Sequence, residues 1–348
     1  MARRLSFAAA VNEAQAQAME LDDSVICFGL GADDPKGIFG TTTGLVERFG
    51  PHRVFDMPAS ENAMTGVGIG AALNGMRPVM THQRMDFFLL ALDQLVNNGA
   101  KWHYMFGRGV PVTIRLIVGR GWGQGPTHSQ SLQSWLTHVP GLKVVMPSRA
   151  RDAKGLLLES IFDDNPVVVL EHRWLYGIED EVDEAPFGIP LGQGERLREG
   201  EDVTLVAASH MTVEALKAWE YLAAAGVHCD LIDLKSLSPL DWDLVFDSVG
   251  KTGRVLVLDT GWAQGSVAGE IIARIAMDCH GDLKTAPRRL ALPDYSVPTA
   301  FELTRNFYPH WRDIVAAVAE MTGSPMAMPD RTETLPHDVP DPEFNGPF

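Results

Sequence analysis

The sequence predicts an α/β protein of two doubly wound α/β domains, and three observations carry that expectation. Short apolar runs fit for buried parallel strands, at 24–31 (SVICFGLG), 78–81 and 112–118 (VTIRLIV), alternate with amphipathic stretches in the first half of the chain. A second alternation of the same kind begins after residue 201. Between the two, residues 176–201 become acidic and rich in Pro and Gly without apolar periodicity, as a linker does. The expected organisation is a first domain over 1–180, a linker over 181–200, a second domain over 201–322 and a Pro-rich tail over 323–348.

A chain of 348 residues suits two domains of ordinary size, and 45% hydrophobic content is enough to build their cores. The excess of 45 acidic over 29 basic residues argues against nucleic acid or an anionic membrane as partner. Cys27, Cys229 and Cys279 are widely spaced and outside any C-x-x-C pattern, so neither a disulfide framework nor a zinc site is expected, and a reducing cytoplasm is. Asn12, Glu13, Gln15 and Gln17 interrupt the alanine-rich start, which is expected as an amphipathic first helix and not a signal peptide. No run approaches the roughly 18 apolar residues of a membrane span.

After the strand at 24–31, the loop 32–44, rich in Gly, Thr and Asp, is expected at the rim of a site. Val54 and Phe55 then end a strand, Pro58-Ala59-Ser60 turn the chain, and Ser60 is placed to cap a helix opened by Glu61. That puts a carboxylate at a strand-to-helix corner, where open parallel sheets bind ligands. The plainer role for it is to favour the helix N-terminus, worth about 0.3–1 kcal/mol. Gly66, Gly68 and Gly70 match the dinucleotide pattern G-x-G-x-x-A, but they fall inside this helix instead of forming its opening turn, which excludes a nicotinamide cofactor. Each glycine costs a helix up to about 1 kcal/mol relative to alanine, so close approach of a neighbouring element is the expected return.

The strand at 78–81 leads to a long helix over about 86–105, with Phe88, Leu89, Leu92, Leu95 and Val96 on one face. Phe87 stands at its opening; by spacing alone an aromatic there is more often core. The strand at 112–118 runs into a glycine-rich loop, 119–126, that lacks Gly-Lys-Ser/Thr, so nucleoside triphosphate binding is excluded. The loop delivers Thr127-His128-Ser129-Gln130 to the start of a helix. His128 there is by itself more often a capping residue, although an imidazole can shuttle protons or hold a carboxylate near neutral pH. His138 is expected to be structural, and His82 and His103 are left open. A strand at 142–147, a helix at 149–162 and a strand at 166–170 close the first domain, with a tight turn at 162–165. Strands at 203–208, 228–234, 254–259 and 289–292 alternate with helices at 212–225, 241–248 and 266–279 to make the second, which carries no catalytic constellation and suits dimerisation and the lining of a site entrance. The tail is expected to be extended or wrapped on a partner.

The blocks FDMPASENAMTGVGIGAAL, ALDQLVNNGAKWHY, PTHSQS, PGLKVVMPS, DAKGLLLESIFDDNPVVVLEH and DVTLVAAS span most of residues 5–320. In that order they resemble the beta subunit of the thiamine-diphosphate-dependent 2-oxo-acid dehydrogenases, the pyruvate and branched-chain decarboxylase components, within the transketolase family. The resemblance implies a transketolase-like pyrimidine-binding domain followed by a transketolase C-terminal domain. It also implies that Glu61 is the catalytic carboxyl, hydrogen-bonded to the pyrimidine ring nitrogen of the cofactor so that the thiazolium proton can be lost. Burial among Met64, Phe87 and the glycine helix would help such a carboxyl keep its proton. Phe87 is then the aromatic stacked on the aminopyrimidine, and His128 faces substrate and reaction intermediate. Backbone oxygens of Ile114, Ser160, Ile161, Asp163 and Asn165 would hold a monovalent cation, K⁺.

The family binds the cofactor's diphosphate through Mg²⁺ held by a Gly-Asp-Gly motif, whereas this chain has Gly281-Asp282-Leu283 and no Gly-Asp-Gly. An alpha subunit carrying that motif is therefore expected as partner, in an α2β2 assembly with thiamine diphosphate shared between unlike chains, and a lipoyl acyltransferase core as a further partner. The expected function is decarboxylation of a 2-oxo acid with transfer of the acyl or aldehyde unit. Half of a split transketolase or acyloin-forming ligase, and a noncatalytic scaffold subunit, are the alternatives. Thr81-His82-Gln83-Arg84-Met85 departs from the acidic or neutral residues of relatives and points to a donor with an extra anionic or hydroxyl group.

Overall fold

The computed structural model describes residues 2–120 and 124–328. It forms two compact units, the first ending at Leu191 and the second beginning at Gly192. In the first, parallel strands lie in the order Lys143–Val145, Val167–His172, Thr113–Val118, Arg77–His82, Val25–Gly29, Val54–Phe55. The strands Thr113–Val118 and Val167–His172 are buried at every residue, which is why each reads as a nearly unbroken apolar run. Helices Phe7–Leu21 and Ala150–Phe162 pack together.

The first helix starts at Phe7, where the Ser6 hydroxyl accepts from the Ala9 N–H at 3.2 Å. The residues before it, expected as helix, form the strand Ala2–Ser6, paired antiparallel with Glu179–Asp183. Glu195–Arg198 likewise pairs antiparallel with Cys229–Asp233. Two strands thus fall in and around the stretch expected as linker, and between them 184–194 carries no helix or strand.

The glycine helix, Glu61–Leu73, lies directly on the sheet. A Cβ at Gly68 would sit 2.6 Å from Met80 Sδ and 3.4 Å from Phe28 Cζ, whereas one at Gly70 would meet nothing within 4 Å. The long helix expected over 86–105 is instead a chain of short pieces: Met85–Phe88, a 3₁₀ turn Leu89–Ala91, a π turn Gln94–Gly99, and Ala100–Phe106. Asn97, Asn98 and Gly99 are poor formers of a regular helix. The asparagine amides bond back to Asp93 Oδ1 at 2.7 Å and Gln94 Oε1 at 3.1 Å. Gly99 meanwhile fits against Ile69 and Pro166.

The second unit has its strands in the order Arg288–Leu292, Val255–Trp262, Val203–Ala207, Cys229–Asp233, Glu195–Arg198, all parallel except the last. Helices His210–Ala224 and Trp311–Thr322 bury Met211, Ala215, Leu222, Ile314, Val315 and Val318 in one core with this sheet. Gly281 and Asp282 belong to a short 3₁₀ turn, His280–Asp282. Residues 329–348, most of the tail, lie outside the described residues. The three cysteines are free and buried. No helix among the described residues is long and apolar enough to cross a membrane.

Candidate active site

All strands of the first sheet point the same way, so the turns after Gly29, Phe55, His82, Val118 and His172 gather at one end of it. Glu61 follows the shortest strand. It is 7% exposed and opens the helix Glu61–Leu73. Ser60 occupies the capping position, but its side chain makes no capping hydrogen bond, so the carboxylate and not the hydroxyl marks this helix start. No protein donor reaches the Glu61 carboxyl among the described residues, whereas its neighbour Asn62 donates to Leu90 O at 3.2 Å and accepts from Gln94 Nε2 at 3.0 Å. A nearly buried carboxyl with no protein partner is a group waiting for a ligand's donor or acceptor.

Phe87 is half-buried in the helix Met85–Phe88, and its ring stands edge-on to that of His128, with centroids 5.4 Å apart and planes at 88°. His128 does not open a helix as expected: it lies in the loop before Gln133–Thr137, exposed, with Nδ1 3.0 Å from Thr127 Oγ1. Asp86 Oδ1 accepts from the Gln130 side-chain amide at 2.8 Å, tying the two segments together. The structure thus brings Phe87 and His128 into contact and places Glu61 at the same sheet end. His82 is buried, pushed down to about 4 by that burial, and packs edge-on against Phe88, so it is a neutral core residue. His103 and His138 are exposed.

The floor of this end carries charge that the apolar runs concealed. Arg115 and Glu171 face each other from neighbouring strands, both fully buried, in a bidentate pair of 2.6 and 2.9 Å. Arg115 also donates to Gln15 Oε1 at 2.9 Å and Thr81 Oγ1 at 3.1 Å, and Tyr176 OH donates to Glu171 Oε2 at 2.8 Å. Burial works against the Arg115 charge, but Glu171 more than offsets it and holds the guanidinium above its ordinary value. Burial first, and the Glu171 charge second, push the Tyr176 phenol well above 10. Above this floor Arg84 and Arg173 both approach the ring of Phe39, with Cζ 5.8 and 5.0 Å from its centroid. Burial, and then the charge of Arg173, bring Arg84 down to about 10; burial lowers Arg173 as well.

Of the five residues named for a monovalent cation, Ser160, Ile161, Asp163 and Asn165 lie at the end of the helix Ala150–Phe162 and in the turn after it, where protein donors already engage three of the carbonyls, and Ile114 lies in the strand Thr113–Val118. Arg77 Nη1 donates to Ile161 O at 3.2 Å and Asp163 O at 3.0 Å, and Thr113 Oγ1 donates to Ser160 O at 3.0 Å. The Asn165 N–H donates to Asp163 Oδ1 at 2.8 Å, and Lys143 pairs with the same carboxylate. Among the described residues no group of three or more His, Cys, Asp or Glu could hold a metal ion.

Sequence reasoning missed Arg115, Glu171, Tyr176, Phe39 and Arg173. The first two had a visible signal, since a charge within an otherwise apolar buried run must be paired. The others had none: they come from distant segments.

The sheet order and this cluster of site residues define a transketolase-type domain, and comparison with known proteins agrees. Residues 3–179 match the family model "Transketolase, pyrimidine binding domain" and residues 192–314 match "Transketolase, C-terminal domain". The chain belongs to this transketolase family, among relatives named as beta subunits of acetoin:2,6-dichlorophenolindophenol oxidoreductase and of the pyruvate dehydrogenase E1 component. It is 42% identical to the beta subunit of acetoin:2,6-dichlorophenolindophenol oxidoreductase from Cupriavidus necator, over 91% of this chain and 97% of the relative. The protein of the same name from Bacillus subtilis is 40% identical over 93% and 99%. The mitochondrial pyruvate dehydrogenase E1 component subunit beta-1 of Oryza sativa is 38% identical over 91% and 86%. A solved structure, "Split gene transketolase, inactive beta4 tetramer", superposes with a TM-score of 0.76 over 92% of this chain and 99% of its own at 22% identity, a likeness of fold alone.

Proposed function

We propose that this chain is the beta subunit of a thiamine-diphosphate-dependent enzyme that decarboxylates a 2-oxo acid and transfers the acyl or aldehyde unit. The observation that carries the reading is Glu61, a nearly buried carboxyl without a protein partner among the described residues, at the strand-to-helix corner. The residues present fit the pyrimidine half of the cofactor: Glu61 to its ring nitrogen, and the half-buried face of Phe87 to its ring. When bound, thiamine diphosphate supplies a nucleophilic carbon and an electron sink for the carbon left after carbon dioxide departs. The Glu61 carboxyl would hydrogen-bond to the ring nitrogen. Phe87 fixes the plane of that ring and covers it from water. His128, exposed beside Phe87 and hydrogen-bonded to Thr127 Oγ1, would hold the substrate carboxylate or shuttle a proton in a later step.

The alpha subunit, the α2β2 stoichiometry and Mg²⁺ ligands on that partner are part of the proposal. They are supported by the missing Gly-Asp-Gly motif and by exposed apolar residues on the first unit: Leu90, Tyr104, Met105, Phe106 and Trp135 are each more than half exposed. A K⁺ ion at the turn 160–165 would use the second lone pairs of the carbonyls that Arg77 and Thr113 already engage. A reducing cytoplasm is supported by three free, buried thiols.

Purified alone, the chain is expected to bind thiamine diphosphate poorly and to show no turnover, because the diphosphate carries most of the cofactor's charge and its Mg²⁺ contacts are on the partner. Isothermal titration of cofactor plus Mg²⁺ into the lone chain, beside mass determination of the co-expressed complex, checks this. Tight Mg²⁺-dependent binding by the lone chain would overturn the division of labour. Lipoamide or dichlorophenolindophenol as acceptor, set against aldehydes, separates the dehydrogenase from the acyloin-forming alternative. In the assembled enzyme His128→Ala is expected to leave activation of the cofactor intact and to lower a later, substrate-dependent step by about 10²-fold or more. Equal damage to proton exchange on the free holoenzyme would place His128 beside the cofactor instead.

A further inference from the structure

Phe39 is held where its own backbone resists it. The rim segment turns through left-handed backbone at Gly37, Gly40 and Gly44, with φ of +61°, +79° and +77°, and glycine, lacking a Cβ, is unstrained there. Phe39, in the same run, holds φ +50° with a full ring, a conformation disfavoured for a bulky side chain and kept where that side chain has a task. The residues around it leave it no retreat. Ile38, Thr41 and Thr42 are buried, the Thr41 hydroxyl donates to Ile38 O at 2.7 Å, and the Ile38 N–H donates to Thr42 Oγ1 at 3.0 Å. The helix Phe7–Leu21 fastens the segment further: Gln15 Nε2 donates to Thr41 O at 2.7 Å and Asn12 Nδ2 to Thr43 O at 3.0 Å. Gln15 also accepts from Arg115, so the rim is tied to the charged floor.

The ring held in this way is only half-buried, and its neighbours belong to the proposed site. It lies beside Tyr176, with centroids 5.9 Å apart, and is approached by the guanidiniums of Arg84 and Arg173. Arg84 immediately precedes the helix Met85–Phe88 that carries Phe87, and Gln83 Nε2 ties that turn to the start of the rim by donating to Leu30 O at 2.8 Å. Arg173 donates to Gln124 Oε1 at 3.2 Å, in the loop that leads to His128. Phe39 therefore bears on the two segments that bring Phe87 and His128 together. An aromatic present for packing alone would be buried on relaxed backbone; this one is strained and half-buried. We propose that Phe39 determines donor specificity, as a fixed aromatic wall that limits the length of the side chain on the 2-oxo acid, taking the chain as the decarboxylating subunit proposed above. A ring fixed by two guanidiniums and an anchored segment cannot yield to a longer side chain, so methylenes beyond the space available meet overlap instead of contact.

The test uses the co-expressed holoenzyme and three donors of increasing length: pyruvate, 2-oxobutanoate and 4-methyl-2-oxopentanoate. Phe39→Ala is expected to raise kcat/KM for 4-methyl-2-oxopentanoate relative to pyruvate by at least about tenfold, with 2-oxobutanoate between them. A role in folding alone would lower all three equally, and an unchanged ratio would overturn the wall while leaving the decarboxylase reading in place. A second measurement does not depend on turnover: titration calorimetry with the methyl acylphosphonates of the same three acyl groups, which offer the carbonyl and an anion but cannot lose carbon dioxide. Their relative affinities should shift with Phe39→Ala in the same direction as the donors. In the full chain, Phe39→Gly should unfold at a higher temperature than Phe39→Ala, because glycine alone is unstrained at φ +50°. Equal midpoints would show that the ring is not held against its backbone, and the wall would fall. If no donor reacts while the acylphosphonate affinities still respond to Phe39→Ala, the decarboxylase reading fails and the wall stands. If neither turnover nor binding depends on length, the proposal ends.

Discussion

Glu61→Gln, in the assembled enzyme, is expected to leave cofactor binding measurable, to slow exchange of the thiazolium proton by at least about tenfold and to lower turnover by about 10²–10⁴-fold. The substitution keeps the size of the side chain and replaces a group that can hold or release a proton with an amide that cannot. Glu61 is suited to such a task by its placement: it is nearly buried, it opens a helix, and no protein donor among the described residues competes for its carboxyl. Quenched-flow exchange followed by proton NMR reads the effect directly. Were Glu61 present only for the helix dipole, the same variant would cost about 0.3–1 kcal/mol of stability and leave exchange unchanged. The two outcomes separate cleanly, and an unchanged exchange rate would remove Glu61 from the chemistry.

How much of this was legible depended on whether the physics was local. Thr113–Val118 and Val167–His172 were readable because a strand buried on both faces must be apolar nearly throughout. Ala2–Ser6 was not, because a strand carrying Arg3 and Arg4 beside an acidic partner strand has neither the apolar run nor the alternation that periodicity detects. The apolar face at Phe88, Leu92 and Leu95 announced a helix, but periodicity of that face does not register the π turn at Gln94–Gly99. Capping chemistry located the start of the glycine helix at Glu61 while misassigning the reason, since Ser60 makes no capping bond.

The site divided along the same line. Glu61 followed from a strand, a turn and a helix in succession, all within a few residues. The Phe87–His128 contact joins segments more than forty residues apart and was reached only through the resemblance to a family. The gathering of Phe39, Arg84 and Arg173 joins three turns through the order of the sheet strands, which no spacing in the chain encodes. Gly68 lies between these cases: its place inside a helix showed that something must approach closely, and the sheet supplied Met80 and Phe28.

The second large effect is expected at the floor of the site. Glu171→Ala should destabilise the first unit by about 3–5 kcal/mol, the usual consequence of removing one partner of a fully buried pair. Arg115 would remain at 0% exposure with only the neutral acceptors Gln15 Oε1 and Thr81 Oγ1, and Tyr176 OH would lose its carboxylate. The same bonds link the strands Thr113–Val118, Val167–His172 and Arg77–His82 to the helix Phe7–Leu21, so their loss also loosens the turns that carry Arg84, His128 and Arg173. The double substitution Arg115→Met with Glu171→Leu should recover most of the stability, because apolar groups of similar volume need neither counter-charge nor solvation. Thermal unfolding of wild type, both single variants and the double variant gives the coupling between the two positions. Single variants that each lose less than about 1 kcal/mol would mean that water reaches the pair and that this floor does not hold the site in place.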